Sequence, residues 1–219
     1  MLRRYRSIHK AIREHWMLLI AGSITFALLY YAGLLLLMML KFRETPNYFN
    51  LYDWAENVML IIKSTPSITD TIMIIKAEWL LEVGYMNYEF GLGIAEWSLY
   101  ISPVKVVAVM LLGALLVLLW LLARRSTCTS VKKSTVFVGG VGAGLASLSL
   151  MSLSWVVCCA TPTWIVGLAI LGLGVSTSLW LEPAGVWLNL AGFSALLTAV
   201  LVLGGASYRP QGSHQIVNS

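Results

Sequence analysis

The segment Val156-Val157-Cys158-Cys159-Ala160-Thr161-Pro162-Thr163-Trp164 sets two adjacent thiols just ahead of a proline, inside a stretch that carries no charge from Ser134 to Leu181. Paired thiolates are soft donors and suit soft, low-coordinate cations such as Hg(II) or Cu(I). Neighbouring residues on a regular helix point about 100° apart, so Cys158 and Cys159 can reach one ion only where the backbone leaves helical geometry. Pro162 supplies such a departure, since it lacks an N–H and disfavours helix at Thr161. A helix broken at membrane depth also frees carbonyl and N–H groups, the arrangement from which many transporters build ion sites. A Cys-x-x-Cys spacing would instead suit redox exchange or a tetrahedral zinc half-site. The alternative use of the pair is as filler, because cysteine is a small apolar residue at home in buried positions.

The surrounding chain decides what medium this chemistry works in. Of 219 residues 58% are hydrophobic and 11% charged, with a mean hydropathy of +0.80. A soluble domain carries about 25% charged residues, and uncharged apolar runs of about 20 residues read as membrane spans. The sequence therefore predicts an all-α integral membrane protein of about five transmembrane helices, with one extracytoplasmic region containing an amphipathic helix. Three cysteines are too few for a disulfide framework.

Charge placement orients the chain. Residues 1–16 hold Arg3, Arg4, Arg6, Lys10 and Arg13 against Glu14, and the loop 124–134 holds Arg124, Arg125, Lys132 and Lys133. Both abut apolar runs, so both are expected in the cytoplasm, and topology accounts for the basic residues without a nucleic-acid partner. The run 17–40 is too long for a signal-peptide core and reads as a retained first span. Residues 41–103 lie between the two basic regions and are acidic, as expected of an extracytoplasmic region. Within them, Ser67 and Asp70 have capping-box spacing, and Ile68, Ile72, Ile75, Trp79 and Val83 recur at helical steps, which predicts an amphipathic helix over 67–83. The Gly- and aromatic-rich residues that follow suit a turn-containing segment at headgroup level. Ala77-Glu78-Trp79 and Ala95-Glu96-Trp97 repeat a tripeptide to which no function is assigned.

The second span is expected over 104–123. Residues 135–204 form a Gly/Ser-rich membrane module, because the uncharged stretch would be about 70 Å long as one helix at about 1.5 Å per residue, more than twice the bilayer. Breaks at Pro162 and Pro183 give spans over 137–158, 163–181 and 185–204, and a single kinked span in place of the first two would give four in all. Gly139, Gly140, Gly142, Gly144 and Ala146 offer close helix packing, with Gly140-x-x-x-Gly144 matching the dimer motif but expected to pack within the bundle. Residues 205–219 are a polar tail. On this count the N-terminus is cytoplasmic, the C-terminus extracytoplasmic, and the protein multi-pass in the plasma (inner) membrane.

Residues 139–204 resemble the membrane transport component of bacterial mercury-resistance systems. The resemblance is carried by a small-residue helix leading into Cys158-Cys159-Ala160-Thr161-Pro162, then an apolar run with Gly167, Gly172 and Gly174, then Leu181-Glu182-Pro183 and a further span. It implies that Cys158 and Cys159 accept Hg(II) from the outer side and pass it inward without ATP.

The first expectation is thus a non-enzymatic membrane protein that binds or transports a soft metal ion, Hg(II) or Cu(I), through Cys158 and Cys159. Cys128, in a basic loop that lowers thiol pKa, and Glu182 are possible secondary ligands. Its partners would be the lipid bilayer and an extracytoplasmic metal carrier. The second expectation is an accessory or assembly subunit of a larger membrane-embedded redox or copper-enzyme complex, since residues 41–103 offer more surface than a lone carrier needs. Enzymatic chemistry has little to work with: His9, His15 and His214 are all terminal, and no Ser-His-Asp set or haem-binding pair lies in the apolar runs.

Overall fold

The computed structural model describes residues 2–89, 91, 93–125, 129–152, 155–157 and 184–206. Helix α1 (Leu2–Glu14) bends at His15 into α2 (Trp16–Phe42), a 27-residue apolar helix about 40 Å long at about 1.5 Å per residue. Arg43, at φ 59°, closes α2 with its N–H on the Met39 carbonyl, 2.8 Å away. The chain then builds β1 (Tyr48–Leu51), α3 (Trp54–Ser64), α4 (Ile68–Ala77), β2 (Leu81–Asn87) and β3 (Ile94–Ile101) before α5 (Pro103–Arg125). After α6 (Thr129–Ser152) come a short strand β4 (Trp155–Val157) and a last helix α7 (Ala184–Ala206). Residues Trp16–Phe42, Pro103–Arg124 and Trp187–Gly205 are each long and apolar enough to cross a membrane, and Ser134–Ser147 forms a shorter apolar stretch within α6. Three helices of that length and composition point to a membrane protein.

The helices pack antiparallel in sequence order. Gly22 abuts Val117 and Gly113 abuts Phe26, which sets α2 against α5. Ser23 donates to the Met110 carbonyl at 2.6 Å across the same contact, and Tyr30 reaches from α2 to the Ser147 carbonyl at 3.0 Å. Such bonds hold helices together in lipid, where apolar contact alone brings no hydrophobic gain. Helices α6 and α7 make the most intimate pair. A Cβ on Gly142 would stand 2.8 Å from the Gly192 carbonyl, and one on Gly192 would stand 2.7 Å from the Gly142 carbonyl. Among the described residues, Gly140 and Gly144 meet no neighbour within 4 Å. The Gly140-x-x-x-Gly144 pair is therefore not the one that packs the bundle; Gly139, Gly142 and Ala146 on the neighbouring face do so. Leu112, Leu122, Leu196 and Leu203 fill the core, and Ala11 of α1 is fully buried among them, so α1 closes the end of the bundle that carries the basic residues.

The opposite end carries a sheet that the all-α expectation did not include. Four antiparallel strands run in the order β1-β2-β3-β4. Short strands with bulky apolar residues on alternate positions, such as Leu81-Glu82-Val83-Gly84-Tyr85, sit inside a region whose apolar steps also fit a helix. The predicted helix 67–83 accordingly begins where expected, with Ser67 Oγ accepting from the Asp70 N–H at 3.4 Å, but it stops at Ala77. Trp79 and Val83 belong to the approach to β2 and to β2 itself. The Gly- and aromatic-rich segment is a hairpin turn, in which Gly91 and Gly93 take φ of 90° and 91°. A bulge between Tyr85 and Met86 is spanned by Asn47, whose side chain donates to the Met86 carbonyl and accepts from its N–H, both at 2.8 Å. Trp97 and Leu99 pack against Leu34 and Met38, and Phe42 stacks on Trp97 with centroids 6.3 Å apart, which fixes the sheet on the end of α2.

The membrane module departs from expectation at one point. The span expected over 137–158 is a helix over Thr129–Ser152, and Trp155–Val157 leave it to pair with β3. The span expected over 163–181 lies outside the described residues. Helix α7 runs antiparallel to α6, so Ala184 starts at the same end as β4. For the same reason α7 finishes at the end that holds α1.

Candidate functional site

Cys128, Cys158, Cys159, Pro162, Glu182 and Pro183 all lie outside the described residues. The structure does describe what leads into the thiol pair. Leu99, Ser98 and Trp97 of β3 pair in turn with Trp155, Val156 and Val157. Val157 is bonded directly to Cys158, whose Cα is therefore about 3.8 Å further along the chain from a paired strand residue. The pair thus follows a sheet edge rather than the last turn of a helix.

Two groups of β3 stand at this edge. Glu96, one residue before Trp97, accepts from Asn87 Nδ2 at 2.9 Å. The Trp97 indole is fully buried, and its Nε1 has no hydrogen-bond partner among the described residues. A buried donor left unpaired costs about 1–3 kcal/mol, and Trp97 pairs with Val157, the residue before Cys158. Among the described residues no three His, Cys, Asp or Glu side chains gather into a ligand set.

The sheet also holds a polar centre that sequence reading missed. Glu82 of β2 is 7% exposed, and its carboxylate accepts from Tyr48 Oη at 2.7 Å and from Tyr52 Oη at 2.5 Å. Ser98 bonds the Tyr48 hydroxyl in turn. Strand register brings these groups together: Tyr48 sits opposite Gly84, Gly84 opposite Ser98, and Glu82 opposite Tyr100. Only glycine at position 84 lets Tyr48 lie across β2, because a Cβ there would stand 2.7 Å from the tyrosyl oxygen. Burial works against the Glu82 charge, but hydrogen bonds from Tyr52, Tyr48, Tyr100 and Ser98 outweigh it and lower the pKa. The hydrogen bond to Glu82, and then burial, push Tyr52 up to about 12. Burial raises Tyr48 and Tyr100 as well. With its oxygens taken up by protein hydroxyls, Glu82 ties β1, β2 and β3 together. Its sequence signal was one acid at a period-two position between Leu81 and Val83.

The two Ala-Glu-Trp tripeptides have matching structural uses. Glu78 accepts from Asn57 Nδ2 at 2.9 Å, as Glu96 does from Asn87. Trp79 lies on Tyr100 with centroids 4.0 Å apart, while Trp97 anchors the sheet to α2. No protein-family model, curated protein or solved structure matches the chain.

Proposed function

We propose that this is a non-enzymatic membrane protein that takes up a soft metal ion, Hg(II) or Cu(I), through Cys158 and Cys159 at the non-cytoplasmic end of a four-span bundle. The orientation rests on charge. The end holding α1 and the 124–134 loop carries the Arg and Lys clusters and faces the cytoplasm. The sheet end is built from residues 41–103, where Glu and Asp outnumber Lys and Arg, and faces outward. Helices α2, α5, α6 and α7 then cross in alternation. The observation that supports the reading is the pairing of Trp155–Val157 with β3, so that the chain enters the thiol pair from a strand of the outer sheet. An ion arriving outside would meet two soft donors there. The resemblance of residues 139–204 to mercury transport components supports the same substrate class and direction. The bilayer is the first partner and an extracytoplasmic metal carrier the second.

Cells expressing the chain should accumulate Hg(II) or Cu(I) faster than cells expressing Cys158→Ser/Cys159→Ser at equal protein level. A membrane-impermeant thiol reagent added outside should block uptake. Equal accumulation by the two chains rules the reading out.

One observation favours a second reading, an accessory subunit of a larger membrane complex. Among the described residues strand β1 is an unpaired sheet edge, and its Phe49 and Leu51 are 63% and 71% exposed. Exposed apolar side chains on an unpaired edge suit β-strand addition by a partner. Purification in gentle detergent separates the readings: a stoichiometric partner supports the subunit, and a chain that purifies alone with its metal supports the carrier.

A further inference from the structure

The face between α2 and α5 is not closed along its whole length. Near the basic end, small residues on α2 leave an outward-facing groove of about 520 Å³ between Leu18, Ala21 and Thr25 on one side and Leu116, Val117 and Trp120 on the other. That volume falls in the range of about 300–1,000 Å³ typical of ligand sites. Ala21, Thr25 and Trp120 are exposed, so the groove opens to the surroundings of the bundle and not to its core. Its lining is apolar apart from the Thr25 hydroxyl. Water gains nothing in such a groove, whereas a hydrocarbon chain fits it.

One turn beyond Trp120 stands Arg124, with its guanidinium 3.7 Å from the centroid of the Trp120 ring. This cation–π contact holds the guanidinium over the indole face and uses none of its N–H donors in an ion pair. Arg124 is exposed and forms no ion pair among the described residues. A fixed, unpaired fork of donors suits bidentate recognition of a phosphate. The same end of the bundle carries Arg125, Lys132 and Lys133 in sequence, which raises the local anion concentration.

We infer that this groove is a binding site for a phospholipid with an anionic headgroup. Its phosphate pairs with Arg124 at the cytoplasmic face, and one acyl chain lies along Ala21 and Thr25 between α2 and α5. Basic pockets between membrane helices on the cytoplasmic side hold anionic headgroups in this way. The inference needs the membrane placement of α2 and α5 but not the metal reading, and it stands if the thiol pair binds nothing.

Native mass spectrometry of the full chain in mild detergent tests it, with phosphatidylglycerol or phosphatidylcholine added as separate probes. Wild type is expected to retain phosphatidylglycerol over phosphatidylcholine on the order of tenfold, the scale of one charge-assisted pair. Arg124→Gln should abolish that preference and leave weak, equal retention of both lipids. Ala21→Phe, which fills the groove from an exposed position, should lower retention of both, and Thr25→Leu provides the same reading should Ala21→Phe fold poorly. Equal retention of the two lipids by wild type overturns the inference. So does retention indifferent to Arg124→Gln or to filling the groove, and so does a lipid-free dimer that only the groove-filling variants dissociate, since a second copy would then be the occupant.

Discussion

At the scale of single residues, Glu82 keeps its charge in a place that little water reaches. Tyrosyl hydroxyls supply the solvation that burial removes, and removing the acceptor would orphan several donors together. Glu82→Gln is expected to destabilise the protein by about 1–3 kcal/mol at neutral pH, measured as thermal unfolding in detergent. The sign of the pH dependence follows from the two shifts. Glu82 has a folded-state pKa below its unfolded value of about 4.3, so its contribution is complete above that pH and is lost as the pH falls through the folded value. Tyr52 is raised to about 12, so its contribution is complete below its unfolded value of about 10 and is lost as the pH rises towards 12. The stability gap between wild type and Glu82→Gln should therefore close in acid. A gap of the same size at pH 3 and pH 7 would mean that the charge is not what holds the strands. The tyrosines gave no hint of this centre in the sequence, because Tyr48, Glu82 and Tyr100 meet only through strand register.

At the scale of elements, close approach of α6 and α7 depends on which glycines face the partner. Gly142→Ala would set a methyl 2.8 Å from the Gly192 carbonyl and 3.0 Å from Ala195 Cβ. The backbone cannot yield cheaply, so the expected loss is about 1–3 kcal/mol. Gly140→Ala meets no described neighbour within 4 Å and should be neutral or stabilising by up to about 1 kcal/mol, because alanine is the better helix former. Thermal unfolding of the two variants side by side checks the contrast, and equal effects would misplace the interface. The small-residue run was plain in the sequence, and so were α2, α5 and α7, whose apolar lengths match a bilayer. What stayed hidden was the strand Trp155–Val157, since three residues carry no period and their apolar character reads equally well as the end of a helix. The sheet was hidden for a related reason: Ile75, Trp79 and Val83 continue a helical spacing across Ala77, where the helix in fact ends.

At the scale of the whole molecule, the alternation of α2, α5, α6 and α7 divides it into a basic end closed by α1 and an acidic end closed by the sheet. In a cysteine-free background, a single cysteine at Gly91 should react with an impermeant maleimide added to intact cells. One at Gly205 should react only after the membrane is opened. Labelling of both from outside would contradict the antiparallel course of α7 relative to the membrane. The three long apolar helices could be read from composition, whereas the direction of α7 could not, because no basic residue lies between Lys133 and Arg209 to orient it.

The account turns on whether the sulfurs that follow β4 grip a thiophilic cation. Titration of the purified full chain with Hg(II), and separately with Cu(I) under reducing conditions, measures this directly by metal content after desalting. About one tightly held ion per chain is expected for the two-thiolate pair, with that ion lost in Cys158→Ser/Cys159→Ser while Cys128 is still present. The same metal content in both proteins would contradict the account and leave the pair as apolar filler beside the sheet.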